Sequence, residues 1–392
     1  MSDDQLKYEQ RGVSASKSEV HQAISRLDKG LYPHAFCKIL PDLAAGSPEH
    51  CNLLHADTAG TKTSLAYLYW RETGDLSVWA GIVQDAIVMN LDDMACVGCT
   101  DDIILSNTIG RNKNLISGDV LQTLIGAAAI FVERMAQWGI SLHLAGGETA
   151  DVGDIVRTAD VGFTAFARMR RQDVIEADIR PGQAIVGLAS FGQARYETEY
   201  NSGIGSNGLT AARHDLLAPV YAQRYPESFD PNLPPHIVYT GKCLLTDTVQ
   251  IDDAPITAGK LLLSPTRTFA PLLRPMLQTL RPAIGALIHC TGGGQTKAMK
   301  FLRQPVRLVK DNLFDIPPVF ALIQENGGAS WREMYQVFNM GHRMELYLDP
   351  ASTDEAIAMA REWGIEARVV GRVEASETAA LRIESAQGCF DF

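Results

Sequence analysis

Between residues 170 and 182 the chain reads RRQDVIEADIRPG, a polar run that parts two blocks of alternating strand-like and helix-like segments. This division constrains the fold most strongly, because each block has to bury its own apolar faces. In the first block, 52–57 (NLLHAD), 63–70 (TSLAYLYW), 102–107 (DIILSN), 141–146 (SLHLAG) and 157–169 (RTADVGFTAFARM) read as strands. A helix is predicted over 117–138, where Leu121, Leu124, Ile125, Ala128, Val132 and Met135 fall on one face and Ser117 stands at the N-cap. In the second block 184–190, 284–290, 343–349 and 366–373 read as strands. Helices are expected to start at Ser264-Pro265 and at the capping box Ser352-Thr353-Asp354-Glu355. Pro219, Pro226, Pro231, Pro234 and Pro235 predict a surface excursion over 218–240. Two α+β domains are therefore expected, 1–175 and 176–392.

The composition narrows what such a pair of domains can do. With 46% hydrophobic residues, 392 positions can fill sizeable cores. A net charge of -11 argues against a nucleic-acid partner, whose phosphates call for a basic surface. The opening MSDDQLKYEQRG lacks a basic start followed by an apolar stretch, and no segment approaches ~20 uninterrupted apolar residues. A cytoplasmic protein without membrane spans is expected. Seven scattered cysteines, an odd number, fit a reducing compartment. Cys96 and Cys99 have no second pair for zinc and are expected to be buried small hydrophobes.

Three elements carry the residue types that phosphate and metal chemistry needs. Residues 288–297 (IHCTGGGQTK) set Thr291, Gly292, Gly293 and Gly294 between an apolar run and a helical pattern beginning AMKFL. Free amides at such a turn suit an anion, and the alternative is a tight turn in which glycine supplies positive φ without steric cost. HADTAGTKTS (55–64) places Asp57 at a strand end, followed by Gly60, Thr61 and Lys62, which is either a carboxylate for Mg²⁺ and an ammonium for phosphate without Walker spacing or a plain hairpin turn. LAGGETAD (144–151) ends a strand in Gly146 and Gly147, then Glu148 and Thr149, a cation or nucleotide site or a solvated turn. Asp92 and Asp93 sit within a helical apolar pattern, where Asp93 requires a metal, a cation or solvent. SGIGSNG (202–208) satisfies G-x-G-x-x-G, but about a dozen polar residues separate it from the nearest strand, so it is not read as a dinucleotide fingerprint.

The order and wording of HADTAGTK (55–62), GGETA (146–150), SNG (206–208), SPTRT (264–268), HCTGGG (289–294), PPVF (317–320) and EMYQVFNMG (333–341) resemble the aminoimidazole ribonucleotide synthetase family, the phosphoribosylformylglycinamidine cyclo-ligases. The resemblance covers nearly the whole chain, and its most specific part is PPVFALIQENGGASWREMYQVFNMG. It implies ATP-dependent closure of the imidazole ring in purine synthesis, with ATP and Mg²⁺ bound. It also implies a homodimer in which the N-terminal sheets of two copies join into a β-barrel, with C-terminal α/β sandwich domains outside. Asp57, Asp93 and Glu148 are implied as Mg²⁺ or ATP ligands and Lys62 as a catalytic phosphate contact. Gly60, Thr61, Gly146, Gly147 and Thr149 fall within the implied nucleotide site. Ser206, Asn207, Gly208 and the turn at 291–294 are implied for substrate and phosphate, and His289 for proton transfer. The sequence departs from the family at Gly98-Cys99-Thr100-Asp101, which lacks the usual Ala and Pro, and at Ile204-Gly205, where Pro-His is usual. Two further readings remain: phosphorylation of another amide or acid, and a nucleotide-binding regulatory homologue without turnover.

Overall fold

The computed structural model describes residues 11–12, 22–23, 26–251 and 254–392. The N-terminal stretch examined for a leader lies outside the described residues except for Arg11 and Gly12. The first part of the chain runs β1 (Ile39–Pro41), β2 (His50–Thr58), α1 (Lys62–Thr73), α2 (Ser77–Ala95), β3 (Ile103–Arg111), α3 (Gly118–Gln137), β4 (Leu142–Leu144), β5 (Glu148–Asp151) and β6 (Ala159–Arg170). These strands form one sheet in the order β1-β2-β6-β3-β4, with β5 also beside β3. Strand β3 is parallel to β4 and β5, and the other pairs are antiparallel. Side chains alternate between faces along a strand, so Cys51, Leu53, His55 and Asp57 of β2 share one face. Helix α2 packs on β2 and β6. On the opposite face Leu54 pairs with Phe166 and Phe166 with Ile104, and Leu54 is 62% and Ile104 42% exposed.

The second part continues with β7 (Ala184–Ala189), β8 (Phe191–Gly192), β9 (Asn201–Ser202), α4 (Leu209–Leu216), α5 (Val220–Arg224), β10 (Thr248–Ile251), β11 (Ala254–Thr257), α6 (Ala258–Leu263), α7 (Ala270–Leu280) and β12 (Ile284–His289). It ends with β13 (Val306–Lys310), α8 (Pro318–Gly327), α9 (Trp331–Val337), β14 (His342–Leu348), α10 (Thr353–Glu362), β15 (Ala367–Ala375), β16 (Ala380–Ser385) and β17 (Gly388–Asp391). A seven-stranded sheet takes the order β12-β14-β7-β15-β13-β16-β17. Its central strands β7 and β14 are buried along their whole length; β7 accordingly reads as a continuous apolar run, whereas β14 also buries His342, Arg343 and Glu345. Mixed sheets with packed helices make both parts α+β.

Four local expectations are corrected. Residues 63–70 form helix α1 rather than a strand, because Lys62 through Tyr69 are all buried and leave no polar face to reveal the helical period. Gly74, in a left-handed conformation (φ 74°), ends that helix and donates its N–H to Trp70 O. No helix starts at Ser264-Pro265; residues 264–269 run as a non-helical strap between α6 and α7, since acidic side chains of α2 take its amides. Ser352 precedes α10 as expected, but its side chain makes no capping bond. The proline-rich stretch 218–240 folds into α5 and two short 3-10 turns that bury Tyr221 and Tyr239, so it is a docked segment rather than an excursion. Residues 294–301 after the glycines form a 3-10 helix. All seven cysteines are free, and Cys96 and Cys99 are buried.

Candidate functional site

Helix α2 carries the chemistry because its core-facing side includes carboxylates. Asp85 and Asp92 are seven residues apart, about two turns, and therefore share a face. Both are fully buried and both accept hydrogen bonds from the strap. Thr266 donates its N–H (2.7 Å) and Oγ1 (2.6 Å) to Asp85 Oδ1. Thr268 Oγ1 (2.8 Å) and Phe269 N–H (3.0 Å) donate to Asp92 Oδ1. Lys62, on α1, donates to Asp85 Oδ1 (2.9 Å), Gly205 O (3.1 Å) and Ser264 O (2.6 Å). Its three protons are thus used inside the protein. Burial pushes its pKa down, and the Asp85 charge opposes that shift.

Asp93, the next residue, turns toward the first sheet. Its Oδ1 accepts from His289 Nδ1 at 2.6 Å, and its Oδ2 lies 3.4 Å from His55 Nε2. The hydrogen bonds also locate the protons. Asn90 Nδ2 donates to Ala86 O and Phe163 O, which leaves its Oδ1 to accept from His55 Nδ1 at 2.9 Å. Burial works against a charge on His55, but Asp93 and Cys37 overcome it and raise its pKa to about 11. His55 is therefore an imidazolium facing Asp93. Burial likewise opposes the charge on Asp93, yet His289 and His55 hold its carboxyl far below the usual range. Arg343 Nε donates to His289 Nε2 at 3.0 Å, which fixes that ring with its proton on Nδ1. Arg343 Nη2 reaches Asp92 Oδ2 (3.4 Å) and Arg267 O.

The glycine turn follows directly from this centre, two residues beyond His289. Gly292, Gly293 and Gly294 all have positive φ (57°, 139° and 49°). A methyl group on Gly294 would collide with the carbonyls of Phe338 and Tyr335, so packing requires glycine there. A methyl on Gly292 would meet nothing within 4 Å, so this part of the turn faces open space. The loop bearing Ser206, Asn207 and Gly208 approaches from the other side. Ser206 Oγ lies 3.2 Å from Thr266 Oγ1, and Thr210, just beyond the loop, meets Thr61 Oγ1 at 2.6 Å.

The expected residues thus divide into groups. Asp57, Asp93 and His289 are brought together, and burial raises the Asp57 carboxyl above its ordinary value, with the Asp93 charge adding to it. Gly60 stands at the open end of the same region, where a methyl group would meet nothing within 4 Å. Lys62 and His289 belong to the cluster but are fully enclosed, as struts rather than open contacts. Glu148 is not part of the cluster. Asp57 pairs with Phe163 and Phe163 with Asn107, whereas Glu148 pairs with Thr108, one row along, so its side chain faces the other side of the sheet. The expected trio of metal ligands is therefore not assembled within one chain, and among the described residues no three His, Cys, Asp or Glu groups converge as metal ligands. Asp57 and Asp93 still suit Mg²⁺ held with a nucleotide, since that ion takes one or two carboxylates and fills its sphere with phosphate oxygens and water. Gly146 and Gly147 stack on β3: Ser106 Oγ donates to Gly146 O at 2.7 Å, and Asn107 fills the space beside Gly147, while Thr149 pairs with Ile109. Sequence reasoning missed His55, Asp85 and Arg343. His55 left a signal, lying two residues before Asp57 on the same face of a strand.

Two family models match the chain: AIR synthase related protein, N-terminal domain, over residues 39–169, and AIR synthase related protein, C-terminal domain, over 256–384. A Methanocaldococcus jannaschii protein named phosphoribosylformylglycinamidine cyclo-ligase is 28% identical over 293 residues, which is 74% of this chain and 70% of that protein. One of the same name from Lachnospira eligens is 26% identical over 326 residues, 82% and 81%. A third, from Methanopyrus kandleri, is 31% identical over 240 residues, and there the match spans 59% of this chain and 57% of the relative. Among solved structures, T. maritima PurL complexed with FGAR superposes with a TM-score of 0.56 at 14% identity, covering 100% of this chain and 52% of that one. A Thermus thermophilus protein gives 0.53 at 13% identity, covering 94% and 97%. At such identities these two likenesses concern the fold.

Proposed function

The chain belongs to the AIR synthase related family, and from that premise we propose that it is an ATP-dependent cyclo-ligase that converts formylglycinamidine ribonucleotide to aminoimidazole ribonucleotide in purine synthesis. The observation that carries this reading is the meeting, at one centre, of residues from both family domains: Asp57 and Asp93 from the first, and the His289 to Gly294 segment from the second. A formamide oxygen leaves poorly. In the proposed reaction it attacks the γ-phosphorus of ATP and releases ADP; the amidine nitrogen then attacks the formyl carbon, and phosphate departs with the oxygen. Mg²⁺ at Asp57 and Asp93 would supply charge neutralisation on the phosphates. The chain's own residues do the rest. The Thr291 N–H is spent on His289 O, so the amides of 292–294, together with the loop at 206–208, donate to phosphoryl oxygens. Gly60, Thr61, Gly146, Gly147 and Thr149 border the nucleotide. Lys62 and His289 act from behind, holding Asp85 and Asp93 in place.

A homodimer joined through the outer face of the first sheet completes the reading. The row of exposed Leu54, half-buried Phe166 and exposed Ile104 supports it, since a contiguous apolar face on a sheet calls for cover. Glu148 lies on this same face and would act at the joined surface. No described helix is long and apolar enough to cross a membrane. One observation favours the second reading, a nucleotide-binding homologue without turnover: both carboxylate oxygens of Asp93 already face histidine nitrogens, His289 Nδ1 at 2.6 Å and His55 Nε2 at 3.4 Å. Purified protein given formylglycinamidine ribonucleotide with heavy oxygen in the formyl group, plus ATP, should form aminoimidazole ribonucleotide, ADP and labelled phosphate in equal amounts. Unlabelled phosphate would refute oxygen activation, and absence of substrate-dependent ADP formation would favour the homologue.

A further inference from the structure

Two side-chain amides tie the candidate phosphoryl loops to one buried segment, and neither amide has any freedom left. Gln295 follows the glycine turn directly and is fully buried. Its Nε2 donates to Asn339 O (2.5 Å) and His342 O (3.1 Å), and its Oε1 accepts from Lys310 Nζ at 3.0 Å. Lys310 also donates to Gln295 O (2.7 Å) and to Glu345 Oε1, and Glu345 is further bound by His342 Nε2 (2.9 Å) and Tyr347 OH (2.8 Å). The other amide belongs to Asn339. Its Oδ1 accepts from Ser190 Oγ (2.9 Å) and Gly341 N–H (3.0 Å), and its Nδ2 donates to Gly203 O at 2.8 Å, just ahead of the loop at 206–208. Phe338 packs between the two loops, because a methyl on Gly294 would strike its carbonyl and one on Gly208 its ring.

Building on the phosphate reading above, we propose that Gln295 and Asn339 are positioning residues that lock the glycine turn to the 206–208 loop through residues 338–342, so that both loops grip one phosphoryl group as a unit. A buried amide with every donor and acceptor engaged cannot shift without orphaning a partner. The span between the loops is then set by the segment and not by the ligand. Such preorganisation gives affinity because little ordering remains to be done on binding.

Ribose 5-phosphate serves as the probe, measured by calorimetry on the full chain. Gln295→Met keeps the length and apolar stem of the side chain but removes its bonds to 339 and 342. Its affinity for the probe should fall roughly tenfold, while the KM for ATP changes less than about threefold. The deciding result is non-additivity: Ser206→Ala should cost roughly tenfold in the wild-type background but less than about threefold with Gln295→Met, because an unlocked loop no longer contributes. Multiplicative losses would overturn the proposal, and so would equal loss of ATP and probe, the mark of general loosening. If Gln295→Met fails to fold, Asn339→Ser tests the lock from the other loop by the same cycle. Wild-type protein that does not bind ribose 5-phosphate refutes the shared phosphoryl grip. Binding with intact non-additivity but no ring closure refutes only the reaction.

Discussion

Replacing Lys62 separates a phosphate contact from a buried strut. Its ammonium is enclosed and spends its protons on Asp85 Oδ1, Gly205 O and Ser264 O, while Asp85 also receives two bonds from Thr266. Lys62→Met leaves the fully buried Asp85 carboxylate without its counter-charge. Breaking such a pair from one side costs ~3–5 kcal/mol, most of it the desolvation of the stranded charge. For a cooperative unit of 392 residues that corresponds to a fall in Tm of roughly 4–6 °C. Pairing it with Asp85→Asn removes the stranded charge and should recover about half of the loss. Thermal unfolding of wild type, both single variants and the double variant, alongside the KM for ATP, reads the outcome. A Lys62→Met protein with unchanged Tm and a KM for ATP raised more than tenfold would refute the strut and restore Lys62 to the phosphate.

Other consequences follow from the same groups. Asp93→Asn removes a charge that keeps His55 protonated, so the His55 ring resonance should titrate well below about 11, with turnover reduced ~100-fold or more; an unshifted titration would free His55 from Asp93. Burial opposes the charge on Glu345, but Lys310 and His342 hold its carboxyl at about 2 against an ordinary 4.5, so its pairing stabilises the fold above pH 4.5 and is lost as pH falls toward 2. Glu345→Gln should cost ~3 kcal/mol at neutral pH and flatten the loss of stability between pH 4.5 and about pH 2; parallel acid profiles for wild type and variant would contradict this. Leu54→Glu combined with Phe166→Glu should turn a dimer into a monomer at micromolar concentration by sedimentation, and a wild-type monomer would remove the paired sheets.

What could be read from the sequence was local. The strands at 52–57, 102–107, 157–169, 184–190, 284–290, 343–349 and 366–373 and the helix at 117–138 announced themselves by period or by short apolar runs. The glycine turn showed itself by composition. The errors have a common cause. Helix α1 was hidden because tertiary burial on all sides erased its period, and the strap at 264–269 carries the Ser-Pro of a helix start but stays non-helical because Asp85 and Asp92, some 180 residues earlier in the chain, take its amides. Asp93 was expected to need a metal, a cation or solvent, and the structure supplies His289 and His55, 196 and 38 residues away. Arg343 carried no motif, since an arginine in an apolar strand reveals its role only when His289 and Asp92 stand beside it.

The distances along the chain between the members of this centre also bear on how the protein is made. During synthesis Lys62, Asp85, Asp92 and Asp93 emerge well before residues 264–269, His289 and Arg343 exist. Until those residues arrive, α2 carries acidic side chains on a face destined for the interior, and the first sheet has no reason to seal over them. Contacts separated by 177 to 251 positions close late and slowly. A ribosome-bound or truncated first half is therefore a poor folding unit, prone to capture by chaperones, and the centre comes into being only in the final stage of folding, all parts together.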